Sequence, residues 1–525
     1  TLYLNAAQRW CKSSLQEMVS WSQQLAEAQE GFREWLPPAV RDLPTWSWLT
    51  AGAVVLASLW YLRRKRRRLP PGPMGVPLMG AVNCIGHDMH LDFMKLRETY
   101  GDIFSFSLFG RLHVALHGYS LIKEAFLTRP DFADVPVFNI TTLAGFNHEI
   151  TLMQYGDQLK SARKFMTMAM KRLGIGGSGI AEDKVLSEIG HILEFLRDSD
   201  GSPIQLTKAI KHGLARALSS IVYSQEYSKD DPEADRLVDL IHDWYSIVFS
   251  QEMWTTEMFP HWLGKIFYKK AIDDATAMNK KISGYIQEKI DEHRATLDKN
   301  NLRDIVDIYL AEREDLDEEK LAYAIVAFMP DGVDTLSSVI IWALLYITHS
   351  PEVQDEIQKE LDAVVGRSGR PIMAHRKDLL YLQATILEVY RITNLLPTAV
   401  PHLNLRDTTL AGYNIPANTM IWPNIFSVHM DPETFPNPDK FDPRHFIDEK
   451  GQLKNTERCI PFGIGRRSCL GEQLSKMESF LFLSNILHQF RLSFPPDQAE
   501  PSLVPHKIGA VMKFPEEFSV IALPR

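Results

Sequence analysis

At 525 residues, with 45% hydrophobic and 23% charged side chains, the chain can bury a large core and is too mixed in composition to be disordered or fibrous. Its formal net charge of -9 excludes a general nucleic-acid binder, because holding phosphates takes a basic surface. The four cysteines, Cys11, Cys84, Cys459 and Cys469, form no C-x-x-C pair and complete no zinc pattern.

The first 45 residues carry Leu15, Met18, Leu25, Phe32 and Leu36 near a 3–4 spacing, which predicts an amphipathic helix. Glu17, Glu27, Glu30, Glu34 and Asp42 make the stretch too acidic for a mitochondrial presequence. Trp46 to Leu62 follows, 17 residues without a charge, bracketed by Trp46, Trp48, Trp60 and Tyr61. The run R-R-K-R-R-R, Arg63 to Arg68, closes it. An uncharged span with interfacial aromatics and a basic flank predicts a single transmembrane anchor, with everything after Arg68 in the cytosol and residues 1–45 lumenal. The alternative is a helix lying in the interface, pinned by the basic run. Leu69 to Gly80, L-P-P-G-P-M-G-V-P-L-M-G, is too rich in proline for a helix and makes a stiff hinge. The expected plan is therefore an extension (1–45), an anchor (46–62), a stop-transfer and hinge segment (63–80) and one catalytic domain (81–525).

Within that domain, Ile103–Leu108 and His113–Leu116 have the pattern of two strands joined by a turn at Gly110. From Asp157 to Leu361 apolar residues recur at helical spacing. Ala322–Thr348 is nearly apolar in its second half and so predicts a buried helix. Further helices are expected at Leu379–Asn394 and Leu470–Phe490, with loops and short strands from Pro397 to Phe462. The fold class is mainly α with a smaller β component. G-I-G-G-S-G, Gly174 to Gly179, matches a dinucleotide fingerprint in letters only, because a basic helix rather than a strand precedes it. N-I-T at Asn139 fits a glycosylation sequon, which a cytosolic position would leave unmodified.

The chemistry concentrates in P-F-G-I-G-R-R-S-C-L-G-E-Q, Pro461 to Gln473. A turn punctuated by Gly463, Gly465 and Gly471 presents Cys469 just before a helix N-terminus. The helix dipole there, with Arg466 and Arg467, is expected to lower the thiol pKa. The glycines are expected to let the backbone approach a flat ligand. Phe462, Gly465, Arg467, Cys469 and Gly471 reproduce the F-x-x-G-x-R-x-C-x-G loop, and on them the chain resembles the cytochrome P-450 family. The resemblance implies the cytochrome P-450 fold and haem b, with Cys469 as the iron ligand and Arg467 on a haem propionate. Cys459 has no such setting and is read as structural.

Three other segments carry the resemblance. E-V-Y-R, Glu388 to Arg391, matches a buried structural pair behind the haem, and His445 in F-D-P-R-H-F matches its third member. M-P-D-G-V-D-T-L, Met329 to Leu336, matches A-G-x-D/E-T through Gly332, Asp334 and Thr335, which implies an acid–alcohol pair that relays protons. It departs at Asp331, where Ala is usual. Asp331 shares a face with Thr335, so it either lines the substrate pocket or, with Pro330, caps a helical turn. Pro330 also removes a backbone donor and should kink the helix. In Y-G-D-Q-L-K-S-A-R-K-F, Tyr155 to Phe165, Arg163 matches a propionate contact, while Leu159 and Lys160 replace the family's Trp and first Arg. Lys160 would stand in as a point charge. His402 matches a further propionate contact.

The resemblance covers 69–525 and is closest to the microsomal branch of vertebrate steroid and xenobiotic hydroxylases. It implies a monooxygenase of the endoplasmic reticulum membrane that inserts one oxygen atom of O2 into a lipophilic small molecule. Electrons derived from NADPH would arrive from a separate flavoprotein reductase, with cytochrome b5 as a second donor. Lys160, Lys164, Lys171, Arg172, Arg466 and Lys476 would form the docking face. The family's specificity regions hold Phe138, Phe146, Phe249, Met258 and Leu396 here, an apolar set suited to a ligand pocket. Two other readings stay open: a haem-thiolate isomerase or dehydratase that needs no external electrons, and a non-catalytic haem-binding protein.

Overall fold

The computed structural model describes residues 50, 68–76, 79–86, 88–145, 150–228, 231–248, 250–256, 261–312, 318–508 and 512–525. The expected amphipathic extension, the anchor at 46–62 apart from Thr50 and the basic run up to residue 67 lie outside the described residues, as do Phe146, Phe249 and Met258. The chain divides into two compact units, Thr1–Leu69 and Pro70–Arg525, and the second holds all that follows.

After helix α1 (Met89–Tyr100), strands β1 (Ile103–Leu108) and β2 (Arg111–Leu116) form a hairpin, as their alternation predicts. Its two turn residues, Phe109 and Gly110, have φ of 45° and 83°. Positive φ at both positions matches the turn to the twist of the flanking strands. The register runs from Leu108 opposite Arg111 to Ile103 opposite Leu116.

The helical region then takes over. It comprises α2 (Asp157–Arg172), α3 (Ile180–Asp198), α4 (Leu206–Tyr223), α5 (Pro232–Val248), α6 (Lys269–Thr296), α7 (Ile305–Glu312), α8 (Glu318–His349) and α9 (Pro351–Val364), with shorter helices between α5 and α6. Only the two-residue strand Ile204–Gln205 breaks into it among the described residues. The Gly174–Gly179 segment links α2 to α3 with no strand before it, so its nucleotide-fingerprint letters carry no such site. Asn139 is buried and donates to the Thr256 carbonyl at 2.5 Å, which leaves the sequon inaccessible.

Helix α8 is the spine of the core. Val339 to Ile347 are all buried, and an all-apolar surface is stable only when neighbours surround it. Among the described residues Phe328–His349 alone is long and apolar enough to cross a membrane, but its apolar window is 83% buried within the protein, so it is a core helix. Helix α4 packs along α8 closely, and Gly332 permits this: a Cβ there would stand 3.2 Å from the Leu218 side chain.

Helix α10 (Leu380–Thr393) leads to β3 (His402–Leu403) and β4 (Met420–Pro423). β4 adds parallel to β2 and antiparallel to β3, giving a four-stranded sheet ordered β1-β2-β4-β3. Helix α11 (Glu472–Gln489) follows the cysteine loop, and the expected bounds of α8, α10 and α11 differ from these by a few residues at most. The terminal strands had no clear sequence signal: His506–Ile508 and Met512–Phe514 are three residues each and pair only with one another, while Phe490–Ser493 and Ser519–Pro524 pair across intervening chain.

Candidate functional site

The loop before α11 is fixed from both sides. Within it, the Cys469 amide donates to the Phe462 carbonyl at 2.8 Å and the Ser468 amide to that of Gly465 at 3.2 Å. From outside, Gly465 sits at φ 86°, where an added Cβ would lie 2.0 Å from the Phe126 carbonyl oxygen. Glycine is thus required there by packing on the protein itself, whereas a Cβ at Gly463 would meet open space. The Phe462 ring stacks edge-on against Tyr390 of α10 at 5.1 Å. The Tyr390 hydroxyl reaches Ser475 and Ser479 of α11 at 3.2 and 3.1 Å, tying both helices to the loop.

Cys469 corrects the electrostatic expectation. Burial pushes its thiol up to about 11. The Gly471 amide and Arg163 pull it down, while Asp331 and Glu472 oppose them. Arg466 is exposed and Arg467 aims its guanidinium elsewhere, so desolvation outweighs the helix terminus. A cation bound to sulfur reverses this balance, since coordination deprotonates a thiol outright.

Around the loop stand two guanidiniums. Arg163 of α2 donates to the Ser468 carbonyl at 2.7 Å. Arg467 donates to the Thr151 and Met153 carbonyls at 3.0 and 2.9 Å. Neither forms an ion pair among the described residues. Burial and then the Arg163 charge lower Arg467 to about 10. His402 lies near Arg467, and burial holds it neutral, at about 4. Its Nδ1 bonds the Phe132 carbonyl at 2.7 Å. Lys160 does not join this group: it is exposed, pairs with Asp157 at 3.0 Å and lies over the Tyr155 ring. Leu159, in the place of the family's Trp, is fully buried.

Glu388 and Arg391 are both 0% exposed and joined by two hydrogen bonds of 2.7 Å. His445 completes the triad. Its Nδ1 stands 3.1 Å from Glu388 and its Nε2 2.7 Å from the Pro436 carbonyl. Both partners are acceptors, so both nitrogens must donate, and the ring is an imidazolium. Burial lowers the His445 pKa, but the Glu388 hydrogen bond and charge outweigh it and the net shift is upward. A raised folded-state pKa gives stability that is complete below the unfolded value of about 6.5 and is lost as pH rises through the folded value. Thermal midpoints of wild type should therefore fall with rising pH across that window more steeply than those of His445→Gln. Parallel curves would show that His445 is neutral in the fold.

On α8 the expected acid and alcohol have separate partners. Thr335 Oγ1 donates to the Asp331 backbone carbonyl. Asp334 is buried and lies 2.7 Å from the Lys211 ammonium of α4, which meets the carboxylate off its hydrogen-bonding directions. Lys211 had no sequence signal, because one lysine in an amphipathic helix is ordinary. Burial first and Asp334 second push the Asp331 carboxyl well above the usual range. Pro330 lies inside α8, and the helix continues through it. Of the expected pocket residues, Phe138 and Leu396 belong to the same apolar cluster as α5 and α8. Tyr245 of α5, which sequence reading missed, is buried beside Asp331 and Asp334 and stacks edge-on with Phe514.

The cytochrome P450 family profile matches residues 70–521, and the chain belongs to that family. It is 32% identical to cytochrome P450 18a1 of Drosophila melanogaster over 491 residues, covering 89% of each chain. It is 34% identical to cytochrome P450 2C7 of Rattus norvegicus, covering 86% of this chain and 93% of the relative. With cytochrome P450 2J2 of Homo sapiens the identity is 30% and the coverage 90% and 95%. The protein is thus a cytochrome P450 monooxygenase, of a family that binds haem b through a cysteine thiolate and uses O2 with NADPH-derived electrons. The donor set fits that group: one thiol ahead of a helix, and two neighbouring guanidiniums that form no ion pair among the described residues, with only the Asp134 charge acting on Arg467 from further off.

Proposed function

We propose that Cys469 is the haem ligand of a membrane-anchored monooxygenase acting on a lipophilic small molecule. The observation that carries this is the Cys469 thiol set beside Arg163 and Arg467, neither of which forms an ion pair among the described residues. When bound, the haem supplies activation of dioxygen, and a thiolate ligand favours O–O cleavage. Arg163 and Arg467 hold the haem carboxylates by charge-assisted hydrogen bonds. His402 would join them only if a haem carboxylate offset the burial and the Arg467 charge that hold its ring neutral: its Nδ1–H already serves the Phe132 carbonyl, so Nε2 donates only after taking up a proton. Phe462 and Gly471 shape the loop beside the sulfur. Thr335 passes protons inward, and the Asp334–Lys211 pair holds the charge behind it.

Exposed Lys164 and Lys171, with Arg172, line a depression of about 610 Å³ on α2 that begins at Arg163. This basic surface suits an acidic electron donor, which we take to be an NADPH-dependent flavoprotein reductase, with cytochrome b5 as a second donor. Residues 46–62 anchor the chain in the endoplasmic reticulum membrane, supported by their lack of charge and the basic run after them.

The test is substrate-dependent NADPH consumption by full-length protein reconstituted with the reductase. Thr335→Ala should retain haem while most electrons leave as hydrogen peroxide rather than product. Unchanged coupling would remove Thr335 from proton delivery, and product formation without reductase would favour an isomerase or dehydratase.

A further inference from the structure

Asp331 is the one position in the α8 motif with a charged group that the proposed mechanism does not use. It lies in a stretch where Phe328, Met329, Val333 and Leu336 are all buried. A carboxylate in such surroundings is costly without a partner. No hydrogen bond to its side-chain oxygens occurs among the described residues, and it is half-buried rather than sealed in. Lys211, the cation that reaches this part of α8, is taken by Asp334. Asp331 is placed one helical turn before Thr335, whose hydroxyl is bonded to the Asp331 backbone. On α8 it therefore neighbours the proposed proton-relay hydroxyl, and its charge reaches the Cys469 thiol. Tyr245, the other polar group close by, is itself buried and cannot supply a positive charge.

We infer that Asp331 is a specificity-determining residue, selecting lipophilic substrates that carry an ammonium group and pairing with that group across from the Cys469 loop. This rests on the haem-site reading above. Burial and Asp334 disfavour the charged carboxylate, and an incoming cation in the same low-dielectric space offsets both. The remaining contacts are apolar, which accounts for the lipophilic part of the molecule.

The probe is trimethyl(4-phenylbutyl)ammonium, whose quaternary nitrogen neither titrates nor ligates iron, beside its neutral carbon isostere (5,5-dimethylhexyl)benzene. Binding of both to full-length, haem-loaded protein is measured by equilibrium dialysis for wild type, Asp331→Asn and Asp331→Ala. Wild type should prefer the ammonium, and both variants should lose that preference by about tenfold or more while binding the isostere as before. No preference in wild type, or a preference kept by Asp331→Asn and Asp331→Ala, overturns the inference. The reduced, carbon-monoxide-bound spectrum of each sample separates the two readings. A thiolate-type band with no discrimination sinks the Asp331 inference alone. A wild type without that band sinks the haem-site reading, and this inference with it.

Discussion

Arg391→Met should cost about 3–5 kcal/mol of stability, the range for removing one partner of a buried ion pair, and little folded protein should be recovered. The Glu388 carboxylate is fully buried and takes two hydrogen bonds from Arg391, one from the Asp442 amide at 3.0 Å and one from His445. Without the guanidinium, one imidazolium is left to balance it. Arg391 also donates to the carbonyls of His429 and Pro438 at 2.8 Å each, and its charge lies over the Phe435 ring. Those carbonyls belong to a segment with little regular structure, so losing Arg391 strands buried acceptors there as well. Replacing both charges, as Glu388→Leu with Arg391→Met, removes the unpaired carboxylate and lets His445 go neutral, but leaves the stranded carbonyls, and should recover only part of the loss. Thermal unfolding followed by circular dichroism measures both. A single variant within about 1 kcal/mol of wild type would show that the triad is not what holds this segment.

The triad also explains which parts of the molecule were legible in sequence. Glu388 and Arg391 are three apart on one helix, and His445 sits in a short motif, so the residues announce themselves. The same holds for the strand pair around Gly110 and for α8, whose apolar run admits few other readings. What escaped depends on contacts between distant segments. Lys211 meets Asp334 only because α4 is drawn against Gly332, and Tyr245 reaches the same place from α5. The thiol pKa failed for a related reason. Helix termini and arginines are visible in the letters around Cys469, but burial is set by the whole fold and proved the larger effect. Lys160 was misplaced because its spacing from Asp157 favours a surface pair over an inward reach.

Cys469→Ala should abolish the thiolate-type band of the reduced, carbon-monoxide-bound protein and reduce turnover to background, whereas Cys459→Ala should leave both unchanged. The two cysteines are ten apart and differ in surroundings, not in residue type. Cys459 is held against the Leu387 carbonyl at 3.5 Å, and burial, with the Glu388 charge, drives its thiol far above the usual range. It points into the structural layer behind α10, where Arg391 already serves Glu388. Cys469 keeps an accessible face at the bottom of the surrounding fold, and has the Gly471 amide and Arg163 beside it, groups that favour a thiolate. Burial opposes that thiolate, so a cation on the sulfur is needed to hold it. The Cys469→Ala chain should still fold, because Gly465 on Phe126 and the Cys469 amide on Phe462 fix the loop without the sulfur. Circular dichroism of the variant tests that separately from the spectrum. A folded Cys469→Ala protein that retained the thiolate band would move the ligand to another cysteine, and Cys459 would then have to leave its layer to reach it.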